Sequence, residues 1–316
     1  MSDAPPTPGI HHVTCIAGDP QQNLDFWVET LGLRLVKRSI NQDDPTTYHF
    51  FFADAEGTPG TSMTFFPWEN LRQGKVGTGQ VSRTAFRVPE GSLDFWEDRF
   101  EDHGVDYEDR VERFDETVLP FYDPDGLPVE LVAVDIPDDD PTVPWTEFVP
   151  DDAAIRGFHS VTLWLGDPQR TEDVLRTMGL DETASEALPA DSRGEERTRF
   201  AATGTVGQYV DVVSTTATAR QGHGTVHHVA FQTPSDADQS AMRTPCRKPV
   251  SGQRIRSTAT GSGRCTSASR TGCCSNSPPA GRGTPATNRS TNSARNWCCP
   301  VSSRPSAVRS RLIWPM

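Results

Sequence analysis

Long apolar runs are missing from this 316-residue chain, and cysteine is nearly missing from most of it. No stretch approaches the roughly 20 apolar residues that a membrane-spanning helix needs, and the N-terminus lacks the basic-then-apolar pattern of a secretory leader. Before Met242 the only cysteine is Cys15, whose expected role on a predicted strand is that of a small buried hydrophobe. We therefore expect no membrane partner, no disulfide framework and a cytoplasmic location.

Basic residues are scarce in the first 241 residues, where 17 Lys and Arg stand against 43 Asp and Glu. The resulting net charge of −26 excludes a basic footprint for phosphate, so we expect no nucleic acid partner for this region. Acidic runs such as Pro137-Asp138-Asp139-Asp140 resemble the surface of a halophilic protein, where salt screens repulsion between like charges. An ordinary acidic cytosolic protein is the alternative.

Acidic residues are in turn absent from Met242 to Met316, where 13 of the 30 basic residues and six of the seven cysteines lie. These cysteines lack the two-residue spacing that is typical of a zinc site. The segment is rich in Ser, Thr, Arg, Gly and Pro and poor in large apolar side chains, which predicts disorder. A single folded domain does not normally join two such different compositions.

A repeated unit organises the acidic part of the chain: an apolar strand, a helix, and then further strands. The second copy begins at Gln80, the third at Gly157, and the fourth begins at His227 but reaches only a helix start. The pattern predicts an α+β fold of four βαβββ modules, of which the fourth is incomplete. The first copy comprises a strand at about 9–16, a helix from about Asp19 through Leu31, and strands at roughly Leu33–Ile40, Thr46–Ala53 and Thr61–Trp68.

A Pro-rich and acid-rich stretch divides these modules into two pairs. We predict an N-terminal domain at 1–134 with modules one and two, followed by a linker at 135–155. A C-terminal domain at 156–241 holds module three and the start of module four, and a tail follows at 242–316.

Paired histidines open the first and fourth modules in the same apolar setting, Ile10-His11-His12-Val13-Thr14 and Val226-His227-His228-Val229-Ala230. Neighbouring residues on a strand point to opposite faces, so each pair offers one imidazole to each side of a sheet. If the two strands meet, two imidazoles can converge on one cation. Two histidines and one carboxylate with open positions form the non-haem Fe(II) oxygenase arrangement. The sequence therefore indicates a metal site whose carboxylate remains to be found.

These features resemble the vicinal oxygen chelate superfamily, and within it the ring-cleaving branch similar to hydroquinone 1,2-dioxygenases. The resemblance also rests on Asp25-Phe26-Trp27, on Leu31-Gly32-Leu33 and on the string from Tyr48 to Trp68. It implies an extradiol-type dioxygenase that opens a hydroquinone or catechol ring, with a small aromatic diol and O₂ as partners. The resemblance does not decide whether the protein forms a homo-oligomer. A glyoxalase-type or drug-binding protein without dioxygenase activity is the alternative, which the Tyr48 to Trp68 string disfavours.

The resemblance also implies roles for both histidine pairs. His12 and His228 stand at the metal-ligand positions of the superfamily, for Fe(II) or Mn(II). His11, His227 and Thr14 are the expected catalytic groups, which hydrogen-bond substrate oxygens and tune the metal.

Modules two and three have other residues at the ligand positions, namely Arg83 and Ser160, so only modules one and four can build the metal site. We expect Arg83 to pair with Glu130, and we expect a structural role for Asp211. The remaining histidines considered are interpreted as hydrogen-bonded packing residues: His49, His103 and His159.

The remaining ligand that the resemblance implies, a Glu on the last strand of module four, has no counterpart here. A GC-rich coding text for the family string Val-Tyr-Phe-Arg-Glu-Pro-Asp-Gly, read one base late, yields the residues that begin at Cys265. We infer a reading frame lost near Met242, by mutation or sequencing error, with the missing Glu straddling Ser275 and Asn276. On this interpretation the activity of this chain is impaired and the tail cysteines are accidental. An evolved basic arm for nucleic acid is the alternative, and the codon-level match disfavours it.

Overall fold

The computed structural model describes residues 5–41, 44–189, 192–239, 242 and 310–315, all of which belong to one compact unit. The first module begins with a strand at Ile10–Ala17, β1, and Asp19 after it is the N-cap of the following helix. The Asp19 carboxylate accepts hydrogen bonds from the backbone N–H groups of Gln21 and Gln22, both at 2.8 Å. The elements of this module are β1 (Ile10–Ala17), α1 (Pro20–Asp25) continued by a π-helical turn (Phe26–Thr30), β2 (Arg34–Ile40), β3 (Tyr48–Ala53) and β4 (Ser62–Pro67).

The second and third modules repeat this order, which confirms the predicted succession of strand, helix and strands. Module two contains β5 (Gln80–Pro89), α2 (Leu93–His103), β6 (Val111–Arg113), β7 (Glu116–Tyr122) and β8 (Pro128–Val134). Module three contains β9 (Phe158–Leu165), α3 (Gln169–Thr177), β10 (Asp181–Ala187), β11 (Glu196–Ala201) and β12 (Tyr209–Ser214). The first strand of module four is β13 (Thr225–Thr233), and a last strand, β14, spans Ser310–Pro315.

Two sheets combine repeats that are distant in the sequence. The six-stranded sheet has the order β14-β13-β1-β4-β3-β2, and the eight-stranded sheet has the order β10-β11-β12-β9-β5-β8-β7-β6. Module one therefore shares a sheet with module four, and module two shares a sheet with module three. The division at 135–155 follows the order of the repeats along the chain, whereas each sheet takes strands from both sides of it. The two strands that carry histidine pairs, β1 and β13, are direct neighbours.

Among the described residues of the predicted tail, Met242 is buried in the hydrophobic core and Ser310–Pro315 form β14. This strand pairs antiparallel with β13 from Thr233 opposite Ser310 to His228 opposite Pro315. For these six residues the expectation of disorder is not met. Apart from Met242, the rest of the predicted tail lies outside the described residues. No helix in the described part of the chain is long and apolar enough to cross a lipid bilayer.

An aromatic cluster around Trp27 supports the six-stranded sheet. The Trp27 ring lies 5.0 Å from Phe65 on β4, 6.4 Å from Phe52 on β3 and 6.1 Å from Phe86 on β5, measured between ring centroids. Trp27 is fully buried, so its large apolar surface contributes strongly to the stability of this core. The acidic linker also packs onto the fold, because Asp140 forms a buried ion pair of 2.8 Å with Arg87 on β5.

Asp123 is a buried carboxyl at the turn between β7 and β8. Its Oδ1 accepts the backbone N–H of Asp125 at 2.9 Å and that of Leu127 at 2.8 Å, and the residue is 4% exposed. Burial raises the pKa of Asp123 from its ordinary value to about 7, because the turn N–H groups do not offset the loss of water.

An Asp123→Asn variant should therefore show a flatter dependence of stability on pH. The unfolded chain ionises near pH 4 and the folded chain only near pH 7, so the wild type loses stability as pH rises through this window. Above pH 7 the variant should be more stable by roughly 4 kcal/mol, at about 1.36 kcal/mol for each pH unit between the two values. Urea denaturation between pH 4 and pH 8 measures this difference. The exposed Asp98→Asn variant is the control, and parallel curves for wild type and Asp123→Asn would contradict the assignment.

Candidate metal centre

The two histidine pairs meet in the middle of the six-stranded sheet. In the antiparallel register of β1 and β13, His12 lies opposite Ala230 and Thr14 lies opposite His228. His12 and His228 consequently share one face, where they are 4% and 9% exposed. Their Nε2 atoms lie 3.2 Å apart. The sequence prediction that two distant imidazoles converge is therefore met by the geometry.

The spacing of these two nitrogens fits a shared cation. Two imidazole nitrogens bound at about 2.1 Å to one metal ion, at an angle of about 90–110°, are roughly 3.0–3.4 Å apart. The observed 3.2 Å lies within this interval. Neutral imidazole binds divalent metals such as iron through the lone pair of a ring nitrogen. Both the donor atoms and their separation therefore suit the expected metal.

The first histidine of each pair contacts the second. His11 Nδ1 lies 3.1 Å from His12 Nδ1, and His227 Nδ1 lies 2.8 Å from His228 Nδ1. In the tautomer in which His12 and His228 each carry the proton on Nδ1 and donate it to the neighbouring histidine, the Nε2 lone pairs are free to bind a cation. Such a neighbour fixes the tautomer and the orientation of a metal-binding histidine. His11 and His227 thus lie beside the proposed ligands rather than among them.

A chain of hydroxyl groups continues from His228 into the sheet. Thr14 Oγ1 lies 3.0 Å from His228 Nε2 and 2.7 Å from Thr64 Oγ1. Thr64 Oγ1 in turn lies 3.0 Å from His49 Nε2. The sequence predicts a role for Thr14 but not for Thr64, which the parallel register of β1 and β4 places beside it. His49 is hydrogen-bonded, as expected for a packing residue, but it packs at the edge of this centre.

Glycine begins each histidine strand because the backbone passes close to another segment there. Gly9 precedes β1 with φ +138°, and a Cβ would lie 2.5 Å from the carbonyl oxygen of Gly207. Gly224 precedes β13 with φ +71°, and a Cβ would lie 2.1 Å from the carbonyl oxygen of Asp125. Left-handed backbone without a side chain is thus required at both positions.

A third ligand is not found in the described part of the chain, which contains no group of three or more His, Cys, Asp or Glu side chains that could hold a metal. Strand register identifies where carboxylates stand in the other modules. In module two, Ala85 lies two residues after Arg83 and stands beside Glu130 on the parallel strand. In module three, Thr162 lies two residues after Ser160 and stands beside Asp211 in the same way. The residue two places after His12 pairs with Thr64. Module one therefore has a threonine at the position where modules two and three have an acid.

Ion pairs occupy the corresponding positions of the eight-stranded sheet. Arg113 binds Glu130 through two contacts of 2.6 and 2.9 Å, while Arg83 approaches the same carboxylate at 3.6 Å. Arg199 binds Asp211 through two contacts of 2.8 and 3.0 Å. The predicted pair of Arg83 and Glu130 is present, although Arg113 is the closer partner. The structural role expected for Asp211 is consistent with its ion pair.

These ion pairs hold Glu130 in its charged form. Burial alone would raise the pKa of Glu130, but the adjacent Arg113 guanidinium outweighs burial and lowers the pKa to about 2. His159 is also engaged on this sheet, where its ring nitrogens lie 3.0 Å from Glu116 and 3.1 Å from Ser160 Oγ. His103 lies on α2 and contacts Thr30 at 3.4 Å. Neither histidine contacts the pair formed by His12 and His228 in the described hydrogen-bond network.

Comparison with known proteins agrees with this architecture. The family described as "Glyoxalase/Bleomycin resistance protein/Dioxygenase superfamily" matches residues 9–131. A Bacillus subtilis protein with the provisional name ring-cleaving dioxygenase MhqO is 42% identical over 237 residues, which are 74% of this chain and 72% of that protein. The chlorohydroquinone/hydroquinone 1,2-dioxygenase of Sphingobium indicum is 32% identical over 247 residues, which are 74% of this chain and 73% of that protein.

Two solved structures extend the comparison. The crystal structure of a provisionally named dioxygenase from Bacillus subtilis has 41% sequence identity and a TM-score of 0.67, and the match covers 75% of this chain and 74% of that one. Glyoxalase I from Zea mays has 13% identity and a TM-score of 0.56, with 80% of this chain and 85% of that one covered. At that identity the maize enzyme shows the fold alone.

Proposed function

This chain belongs to the glyoxalase/bleomycin resistance protein/dioxygenase superfamily, and we propose that its two-histidine centre is that of an extradiol-type ring-cleaving dioxygenase. The observation that supports this most directly is the 3.2 Å separation of His12 Nε2 and His228 Nε2 on one buried face. Relatives with dioxygenase names at 32–42% identity support the reaction class. The proposed substrate is a hydroquinone or a catechol, and O₂ is the co-substrate.

His12 and His228 would hold Fe(II) or Mn(II) through their Nε2 atoms. A metal held there would supply the redox-active centre through which electron density could pass from the diol ring to O₂. The overall reaction breaks one ring carbon–carbon bond and adds both oxygen atoms to the product, so it needs no external reductant. The protein must therefore place the diol beside O₂ and manage the two hydroxyl protons.

Side chains around the two proposed ligands are suited to those tasks. Thr14 Oγ1 lies 3.0 Å from His228 Nε2, close enough to orient an oxygen bound next to that histidine. His11 and His227 can each exchange a proton with the Nδ1 of the neighbouring histidine, at 3.1 and 2.8 Å. Both are only partly buried, so a diol can reach them. We propose that these three groups hydrogen-bond the substrate oxygens.

We further propose that turnover by this chain is impaired because a carboxylate ligand is missing from module four. In the other modules the last strand runs parallel to the first, as β4, β8 and β12 do beside β1, β5 and β9. Beside β13 the place is taken by β14, which runs antiparallel. The sequence of β14, Ser-Arg-Leu-Ile-Trp-Pro, contains no acid. This arrangement supports the interpretation that the reading frame was lost before the strand that carries Glu.

Anaerobic Fe(II) titration followed by oxygen-consumption assays with hydroquinone tests both parts of the proposal. We expect weak, substoichiometric iron binding and little ring cleavage by this chain, and we expect His12→Ala to remove the residual binding. A protein with the frame restored near codon 242 should bind iron and cleave the ring. Tight stoichiometric iron with turnover in the present chain would contradict the impairment. An iron-loaded, frame-restored protein that leaves hydroquinone and catechol intact would contradict the dioxygenase itself.

A further inference from the structure

A line of hydrogen bonds leads from the histidine centre across the six-stranded sheet to His49. Thr14 Oγ1 lies 3.0 Å from His228 Nε2 and 2.7 Å from Thr64 Oγ1. Thr64 Oγ1 lies 3.0 Å from His49 Nε2, so each step is within hydrogen-bond distance. Thr14, Thr64 and His49 lie on β1, β4 and β3, which are consecutive strands of the sheet. The line therefore runs sideways from the centre, one strand at a time.

The two threonines in this line are sealed from water. Thr14 and Thr64 are each 0% exposed. Buried hydroxyl groups are satisfied by protein partners, which here are each other and the two histidines. His49 is only partly buried. The line therefore connects a buried centre to an imidazole that solvent can reach.

Aromatic rings hold His49 in the orientation that this line requires. The His49 ring centroid lies 4.0 Å from that of Phe51 and 4.4 Å from that of Phe66. Phe51 stands opposite Thr64 in the antiparallel register of β3 and β4. With a ring packed on either side, the imidazole keeps its Nε2 toward the Thr64 hydroxyl group.

The direction of these hydrogen bonds depends on the state of His228. A threonine hydroxyl group has one proton to donate and two lone pairs that accept. With the lone pair of His228 Nε2 engaged by a cation, Thr14 has no acceptor there, and its proton turns to Thr64. Thr64 in turn donates to His49 Nε2. This arrangement leaves Thr14 with a lone pair that can accept a proton from a diol hydroxyl group.

We propose that Thr14, Thr64 and His49 form a proton path that carries a diol proton away from the histidine centre. The diol hydroxyl group gives its proton to Thr14 Oγ1, the proton of Thr14 passes to Thr64 Oγ1, and that of Thr64 passes to His49 Nε2. The diol becomes a monoanion and His49 an imidazolium, and no electrons are exchanged. Imidazole suits this task because it gains and loses a proton near neutral pH.

His49 acts through the two threonines and does not touch the diol, so it is a positioning residue for the proton. The inference rests on the proposed function for the identity of the diol. It adds to that function the destination of a substrate proton, which the roles of His11, His227 and Thr14 leave open.

Histidine-selective ¹⁵N NMR on the full chain at about pH 8, where imidazole is ordinarily neutral, tests the direction of the path. The signals of His49 are identified by their absence from a His49→Gln variant. We expect resting His49 to carry its proton on Nδ1, with Nε2 as the acceptor. Thr64→Val removes the donor and should shift His49 toward the Nε2–H tautomer, whereas Thr64→Ser keeps the hydroxyl group and should preserve the resting state. A proton on Nε2 in the resting chain would overturn the inference.

Addition of saturating Zn(II), which is diamagnetic, and catechol tests the transfer itself. We expect the ¹⁵N signal of His49 Nε2 to move from the range of an unprotonated ring nitrogen to that of a protonated one. Thr64→Val should lose this diol-induced protonation, and Thr64→Ser should recover it. The matched control is Thr117→Val on β7 of the other sheet, which should behave like the wild type.

Two results would overturn the path: a wild type in which catechol leaves His49 unprotonated, or an equal response in Thr64→Val. The frame-restored protein separates this inference from the proposed function. Protonation of His49 by catechol without ring cleavage would overturn the proposed function and leave the path in place. Ring cleavage without protonation of His49 would overturn the path alone.

Discussion

Replacing Glu130 by Gln is expected to lower the free energy of unfolding by about 3–5 kcal/mol. Glu130 is 1% exposed and holds Arg113 through contacts of 2.6 and 2.9 Å. Arg83 is a second cation within reach at 3.6 Å. Without the carboxylate the buried Arg113 guanidinium keeps its charge and loses its counterpart, whereas the partly exposed Arg83 retains its ion pair with Glu108 at 2.9 Å. An unpaired buried charge is among the costliest defects in a folded protein.

Urea denaturation at pH 7 measures this loss. The matched control is Glu97→Gln, which breaks an ion pair with Arg110 in which both side chains are about one-third exposed, so a change below about 1 kcal/mol is expected. A double variant, Arg113→Met with Glu130→Leu, should recover part of the stability because it removes both charges together. A loss of less than 1 kcal/mol in Glu130→Gln would contradict the buried network.

Acid denaturation tests the ion pairs of Glu130 independently. The pKa of Glu130 is lowered to about 2, from an ordinary value of 4.5. Its contribution to stability is therefore complete above about pH 4.5 and is lost as pH falls toward 2. The Glu130→Gln variant should show correspondingly less acid sensitivity over that interval.

The ion pairs of the eight-stranded sheet explain why one sheet provides a candidate metal centre and the other does not. Register places Arg83 and Ser160 where the six-stranded sheet has His12 and His228. The carboxylates that could complete a metal site there, Glu130 and Asp211, are neutralised by arginines. In this sheet an arginine guanidinium balances the charge of each carboxylate, as a metal ion would, but it offers no coordination position to a substrate. The ion pairs can therefore stabilise the sheet but cannot support metal chemistry.

Local patterns predicted the modules, whereas the pairing of modules required the structure. The helix that begins after Asp19 follows from its cap and its apolar face, and the convergence of the histidine pairs follows from their matching contexts. The histidine pairs are what indicate that β1 lies beside β13, because the apolar pattern of the first strands alone does not separate β13 from β5 as a neighbour. The predicted division into an N-terminal and a C-terminal domain therefore follows the order of the modules along the chain, whereas each sheet combines modules from both sides of that division.

The sequence also did not predict the arginines that pair with Glu130 and Asp211 from the middle strands of the same modules. Arg199 on β11 stands directly opposite Asp211 on the adjacent β12, whereas Arg113 on β6 reaches Glu130 on β8 past the intervening β7. Sequence reasoning therefore found the correct acid, Glu130, and ranked the more distant arginine first. Thr64 was missed for the same reason, since its importance is visible only once β4 is aligned with β1.

A carboxylate at position 64 is expected to raise the affinity of this chain for Mn(II) or Fe(II) by at least about 100-fold, or roughly 2.7 kcal/mol. Thr64 occupies the register position that Glu130 and Asp211 occupy in the other modules. Its hydroxyl lies 2.7 Å from Thr14 Oγ1, which is itself 3.0 Å from His228 Nε2. A longer Thr64→Glu side chain can therefore reach the space where the two Nε2 atoms converge and supply an anionic oxygen ligand.

Thermal stability gives a second test of metal binding by the Thr64→Glu variant. Position 64 is fully buried, so the metal-free Thr64→Glu variant should unfold at lower temperature than the wild type, because it buries an unpaired charge. Saturating Mn(II) should restore the melting temperature, since a ligand that binds only the folded state stabilises it. The wild type should shift far less under the same conditions.

Isothermal titration with Mn(II), which avoids iron oxidation, gives the affinities directly. Thr64→Gln is the matched control, because it has the same length as Glu and no charge, and it should bind Mn(II) no better than the wild type. Adding His228→Ala to Thr64→Glu should abolish the gain, because the ion would then lose one of its two imidazoles. Equal Mn(II) affinity for Thr64→Glu and Thr64→Gln would show that the converging histidines are not the ligands of a metal ion. The required result is a gain in Mn(II) affinity that depends on both the new carboxylate and His228, since a shared cation needs both ligands.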